Sequence, residues 1–170
     1  MDFFTTVESR HSTRSFTHQP IEENKIRQIL EAANLAPSAG NLQAYQIFVV
    51  KDPARIASLA EAADQDWIAE APVVLVFCAD SSRSARKYGQ RGRDLYALQD
   101  STIAASYAQL AAASLGLGSC WVGAFSEEAI LEILESPQNL LPVCLLPLGY
   151  PAEEPEPRER RKLKDLAREI

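Results

Sequence analysis

Arg10, Ser12 and Arg14 alternate along a short polar segment, so in an extended chain their side chains leave on one side. Two guanidinium forks flanking a hydroxyl make an anion clamp, because arginine meets phosphate oxygens bidentately. The same residues would serve as a solvated charged turn behind a helix, and spacing alone does not decide between the two. His11 could act as a general acid or a metal ligand. No second ligand lies nearby in sequence, so a hydrogen-bonded or exposed imidazole is the expectation. A second basic run, Arg158-Glu159-Arg160-Arg161-Lys162, follows prolines 151, 155 and 157. It reads as a solvated charge run, which composition alone favours, as a nucleic-acid patch, or as a further phosphate contact, and in an acidic protein a specific anion fits better than a polynucleotide.

The stretch Gly116-Leu117-Gly118-Ser119-Cys120-Trp121-Val122-Gly123-Ala124 is rich in glycine but lacks the GxGxxG spacing of a dinucleotide site. Its glycines would let backbone N–H groups approach a flat ligand. They would equally make a helix C-cap and a turn into a strand. Cys120 has no evident activating base, and a packed thiol is the expectation. With Cys78 and Cys144 it makes an odd number at wide spacing, which forms neither a disulfide framework nor a zinc site. Metal catalysis is therefore unsupported. No catalytic triad or carboxylate pair is visible.

These residues must be positioned by a chain of 170 residues, a length suited to one domain over 1–170 with its own hydrophobic core. A net charge of −6 argues against nucleic acid as a partner. The N-terminus has no basic, apolar leader, and no apolar run is long enough for a bilayer, so no membrane association and a cytoplasmic location are expected.

Asp2 can cap a helix through Ser9, with Phe3, Phe4 and Val7 facing inward. Ile26, Ile29, Leu30 and Ala33 form the stripe of a helix over 22–36, which Pro37-Ser38-Ala39-Gly40-Asn41 ends. Tyr45 to Lys51 reads as a strand, and Asp52-Pro53 starts a helix. Pro72 to Ala79 reads as a strand buried on both faces. Ser81 to Asp94 is polar, basic and glycine-containing, the segment expected to be a mobile loop. Leu95 to Leu115, rich in alanine and ended by Gly116, is the longest helix and is expected in both the core and a subunit interface. A strand or strand-like turn over 119–125, a helix capped by Ser126, and a last strand over 142–150, interrupted by Pro147, complete an α+β or three-layer arrangement. The tail from Pro151 cannot build a core and must lie on another surface or be disordered.

Taken in order, four segments resemble the nitroreductase family of flavin enzymes, and the resemblance covers nearly the whole chain. They are Arg10-His11-Ser12-Thr13-Arg14, then Ala36-Pro37-Ser38-Ala39-Gly40-Asn41-Leu42-Gln43, then Leu115 to Gly123, and finally Leu146-Pro147-Leu148-Gly149-Tyr150-Pro151 with the basic tail. Gln43 is followed by Ala44-Tyr45, where the family often has proline and an aromatic residue. The stretch between the Pro72 strand and the long helix is shorter than in larger relatives, which implies an open pocket and broad acceptor tolerance.

The resemblance implies a three-layer α-β-α sandwich with a mixed central sheet, in an intertwined homodimer with composite active sites. FMN would be the cofactor, NADH or NADPH the electron donor, and a nitroaromatic, quinone or similar small molecule the acceptor, in a ping-pong cycle. Arg10, Ser12 and Arg14, with His11, would hold the FMN phosphate and the pyrimidine edge of its ring. Arg158 and Arg160 would complete the phosphate site. Pro37, Ser38, Asn41 and Gln43 would reach the flavin of the other subunit, and Gln65 the ring's polar edge. Cys120 and Trp121 would line the ring, with a backbone N–H at Val122 or Gly123 facing flavin N5. The tail, 151–170, would pack on the partner. A specialised flavin enzyme of the same fold, and a flavin-binding protein without turnover, are the alternatives.

Overall fold

Seven consecutive uncharged residues, Val73 to Ala79, have no polar face to offer water, and the fold covers both sides of them. The structure, a computed structural model, describes residues 2–136, 139–154 and 159–170. In chain order its elements are α1 (Phe3–Ser9), α2 (Glu23–Asn34), β1 (Tyr45–Val50), α3 (Pro53–Ala63), β2 (Val73–Asp80), α4 (Ser81–Arg91), α5 (Ala97–Ser114), β3 (Gly118–Ser119), α6 (Glu127–Ile133) and β4 (Leu140–Gly149). The strands form one sheet in the order β1-β2-β4-β3, with every neighbouring pair antiparallel. The parallel component of the expected mixed sheet is a single bridge, Ser12 to Ser119, at the β3 edge.

Alternation along β2 sorts the core into two layers. Val73, Leu75 and Phe77 face α2 and α5, where Ile26, Ile29, Ala33, Ala104, Ala105 and Ala108 meet them. Val74, Val76 and Cys78 face the other way, onto Ile56, Leu59, Ala60 and Ile130 of α3 and α6. The result is the expected α-β-α sandwich. Local chemistry sets the helix ends. Asp52 accepts the Arg55 N–H at 2.9 Å with Pro53 in the first turn, and Ser126 accepts the Ala129 N–H at 3.3 Å. Gly116, at φ 76°, ends α5 while Leu117 N–H returns to the Ala112 carbonyl at 2.9 Å.

Several expectations are corrected. Phe3, Phe4 and Val7 do not point inward: α1 is so short that its buried side is held by Thr6, and the three apolar side chains face solvent. Residues 81–94 are not a loop. Asp80 caps α4 through the Arg83 N–H at 2.9 Å, and a π-helical turn over Gly92–Tyr96 carries the chain into α5. Gly92 makes that turn possible, since a Cβ there would lie 2.6 Å from the Ser84 carbonyl oxygen. Pro147 does not interrupt β4, which runs unbroken past it opposite Val74. Extended structure within 119–125 shrinks to the end of β3 and a bridge from Val122 to Leu145.

Phe77 is fully buried at the centre of the α2/α5 layer. Phe77→Ala should lower unfolding stability by about 3–5 kcal/mol, read as a shifted urea midpoint at unchanged m. A loss below about 1 kcal/mol would mean that this layer closes over the cavity.

Candidate functional site

The segment after α1 is laced on both sides. Thr13 N–H donates to the Ser119 carbonyl at 3.0 Å, Thr17 N–H to Tyr150 at 2.9 Å, and Ala152 N–H to Ser15 at 3.0 Å. The lacing keeps 12–17 extended, so alternation acts as expected: Thr13 is fully buried while Ser12 and Arg14 face outward. Thr13 lies so close to Gly118 that a Cβ at 118 would come within 2.6 Å of its hydroxyl. The glycine is needed there for packing. His11 is hydrogen-bonded, with Nδ1 3.0 Å from the Ser9 carbonyl and Nε2 3.2 Å from the Thr13 hydroxyl. A carbonyl only accepts, so Nδ1 carries the hydrogen that it donates to Ser9.

Arg10, His11, Thr13, Gly118, Ser119 and Pro151 line a cavity of about 170 Å³. Arg10, Ser12 and Arg14 all bear electrostatically on Cys120, so these four residues form one cluster. Neither guanidinium pairs with a carboxylate among the described residues, whereas Lys25, Arg27, Lys51 and Arg55 each do. Glu153, on the chain just after β4, accepts the backbone N–H of Arg14 at 2.6 Å. Cys120 is buried, and burial raises its thiol above its ordinary value despite the opposing pull of Arg14, so it is a packed thiol. The Val122 N–H is committed to the Leu145 carbonyl at 3.0 Å and is not available to a ligand. Of the two expected amides, the exposed Gly123 keeps one that has no partner among the described residues. Trp121 is half-buried against the α2/α5 layer. Gln65 accepts the Trp67 indole N–H at 3.0 Å, and Trp67 packs on Phe16, which ties Gln65 to the same edge of the sheet.

A second group gathers on the loop between α2 and β1. Gly40, Asn41 and Gln43 all have left-handed backbones, at φ 58°, 54° and 48°. Ser38 Oγ accepts the Gln43 N–H at 3.0 Å, and the Gln43 amide reaches back to Asn34 Oδ1 at 2.8 Å. Asn41 is exposed. From α4, Arg83 donates to the Leu42 carbonyl, and Lys87 and Tyr88 crowd Gly40. Pro37, Ser38 and Ala39 form one wall of a groove of about 600 Å³, with Tyr96, Leu98, Asp100 and Ile103 opposite.

Among the described residues, no hydrogen bond or ion pair joins this group to the Arg10 cluster. Arg160 is exposed on the tail, and Arg158 lies outside the described residues. No group of side chains suited to a metal occurs among those described, and no helix among them is long and apolar enough to cross a membrane.

Sequence reasoning passed over Asp100. It occupies the buried stripe of α5 with Ala97, Ala104 and Ala108, and a lone acid in a stripe of alanines is a legible signal. Glu153 and Thr13 carried no such mark, because long-range pairing alone gives them their roles.

The sequence profile of the nitroreductase family matches residues 7–70 and 59–150. A Thermus thermophilus protein named NADH dehydrogenase is 37% identical, covering 96% of this chain and 94% of its own. A Bacillus subtilis protein named FMN reductase [NAD(P)H] is 33% identical over 91% of this chain and 68% of its own. Among solved structures, an FMN-dependent nitroreductase of Clostridium difficile superposes with a TM-score of 0.80 at 28% identity, covering 92% of this chain and 91% of that one. A Bacteroides thetaiotaomicron protein described as a putative NADH dehydrogenase/NAD(P)H nitroreductase superposes with a TM-score of 0.86 at 29% identity, covering 97% and 95%.

The three thiols give a test of the packing. Burial pushes Cys78 from 9.0 to about 12, and pushes Cys144 higher still. The native state therefore holds these protons more tightly than the unfolded chain does. Stability from this source is complete below the ordinary thiol value and is lost as pH rises through the native one. Native protein should resist a thiol reagent at neutral pH and up to about pH 9, while all three cysteines react once the chain is unfolded. Fast labelling of the native state would contradict the buried, protonated thiols.

Proposed function

This chain belongs to the nitroreductase family, and from that premise we propose that it is an FMN-dependent NAD(P)H oxidoreductase. The observation that carries the reading is the pair of guanidinia Arg10 and Arg14, which form no ion pair among the described residues and are fixed with Ser12 on an extended edge beside the Gly118–Ser119 backbone. These residues fit the cofactor: both guanidinia remain available to an anion, since the Glu153 carboxylate bonds the Arg14 backbone N–H. A groove of about 600 Å³ is also large enough to take part of a flat ring system.

Bound FMN supplies two-electron chemistry, carrying hydride from NADH or NADPH to a small acceptor such as a nitroaromatic or a quinone. The chain's own residues bind and orient. Arg10 and Arg14 would hold the phosphate and the pyrimidine edge, with His11 and Ser12 between them. A fixed cation at Arg14 would favour negative charge at that edge. The Gly123 N–H would serve as a donor to the ring, Cys120 and Trp121 would line it, and Gln65 would meet its polar edge. Arg158 and Arg160 would add phosphate contacts from the tail. No side chain acts as a nucleophile, in keeping with the raised thiol of Cys120.

The reading includes a homodimer in which Pro37, Ser38, Asn41 and Gln43 of one subunit meet the flavin held by Arg10 of the other. Support comes from the separation of the two groups within one chain. It comes also from apolar side chains that remain exposed, namely Phe3, Phe4 and Val7 on α1 and Leu163, Leu166 and Ile170 on the tail. The tail, 151–170, would cover the partner, leaving a single FMN-binding domain over 1–170. A cytoplasmic location is supported by three cysteines that remain free thiols. An acceptor that is a small molecule, not a nucleic acid, is consistent with the net charge of −6.

Purified protein should be yellow and should bleach anaerobically with NADH or NADPH. Yellow protein that neither donor bleaches would indicate flavin binding without turnover, and protein that takes up no FMN would remove the reading altogether. Arg10→Ala should weaken FMN binding by about one to two orders of magnitude in a fluorescence titration, the loss of one charge-assisted, bidentate contact. Asn41→Ala should also bind FMN poorly, and subunit exchange between the two variants should restore part of the flavin binding. Absence of any recovery on exchange would place both residues at the same half of the site.

A further inference from the structure

Asp100 stands in the first turn of α5, on its buried face, and is 2% exposed. No lysine or arginine pairs with it among the described residues. A solitary buried carboxylate costs several kcal/mol unless its oxygens are hydrogen-bonded. Here Oδ1 accepts the Ala39 N–H at 2.9 Å and Oδ2 accepts the Ala44 N–H at 3.4 Å. The two donors bracket one short loop, and both oxygens serve it.

That loop needs holding. Between its brackets, Asn41 and Gln43 adopt left-handed backbones, which for residues other than glycine cost on the order of 1 kcal/mol or more each. Such conformations persist only where the surroundings over-determine them. Ala44 is fully buried, so its N–H would be orphaned without an acceptor. Ser38 Oγ and Arg83 fix two points inside the loop, Gln43 N–H and the Leu42 carbonyl. Among the described residues, Asp100 alone ties its two ends to the long helix by hydrogen bonds.

We propose that Asp100 is a positioning residue for the flavin site: its carboxylate holds the Ala39–Ala44 loop in the strained form that presents Asn41 to the partner subunit's flavin. The proposal rests on the composite site described above. It separates loop placement from core packing, since a stripe of alanines needs no carboxylate for packing.

The test compares wild type, Asp100→Asn and Asp100→Ala, each as apoprotein titrated with FMN by fluorescence. Asparagine keeps one acceptor oxygen but cannot accept from both amides. The expected order of affinity is wild type, then D100N, then D100A, with a loss of about tenfold or more in D100A. Hydrogen exchange of the Ala39 and Ala44 amides should accelerate in both variants, while β2 and β4 stay protected. On subunit exchange, D100A should regain flavin binding with Arg10→Ala but not with Asn41→Ala, a grouping that a purely structural role would not produce. If D100A does not fold, D100N decides the matter by its FMN affinity and loop exchange. Wild type that binds FMN alongside variants that bind within about twofold of it would overturn the positioning role alone. Wild type that takes no FMN would overturn the functional reading and the proposal with it.

Discussion

The pairing of β2 with β4 is the constraint on which the rest depends. Both strands are apolar on both faces, so neither side of the sheet centre can be left to water. Helices must therefore cover both sides, and the chain supplies them as α2 with α5 and as α3 with α6. Once the centre is spent on burial, polar chemistry can live only at the periphery. The Arg10 segment accordingly lies along the β3 edge, and the Ser38 loop lies where α2 hands over to β1. Each is irregular backbone, but each is tied to rigid elements: the first through Ser119 and Tyr150, the second through Asp100.

Charge is distributed by the same logic. Four cations are matched: Lys25 with Glu22, Arg27 with Glu31, Lys51 with Glu23, and Arg55 with Glu135. Arg10 and Arg14 form no such pair among the described residues. On the surface of an acidic protein, unmatched arginines held on a laced segment make a local positive field that a phosphate can use, and their geometry is fixed before any ligand arrives. Glu153 departs from this pattern only in part, because its oxygen is taken up by a backbone N–H.

Elements whose stability is local were legible in the sequence. Asp52-Pro53, Ser126 with Glu127 and Glu128, and Gly116 each mark a helix end by a mechanism that operates within one turn. The alternation of Arg10, Ser12 and Arg14 was legible too, because an extended chain has only two sides. What escaped depends on contacts distant in sequence. Residues 81–94 read as a loop on composition, yet α4 is held by the Asp80 cap, by Arg83 on Leu42, and by the fit of Gly92 against Ser84. The commitment of the Val122 amide to Leu145 needs the position of β4, which no local pattern reveals. Phe3, Phe4 and Val7 were assigned inward because apolar side chains usually are. Their exposure comes instead from the shortness of α1, whose one buried side chain is Thr6.

The fold also keeps two polar groups apart. Within one chain the arginine cluster lines a cavity at the β3 edge, whereas the Ser38 loop lines a groove against α5. In the reading proposed above, a flat ligand touched by both would lie between two copies, and a two-fold axis would make that contact reciprocal. The loop of such a site would have little freedom to adjust, because its backbone is left-handed at Asn41 and Gln43 and Asp100 ties both its ends to α5, the long helix that also packs under β2. Rigidity there would let a ring be held without a side chain that reacts with it. A small chain could then orient the cofactor's chemistry while contributing no nucleophile of its own.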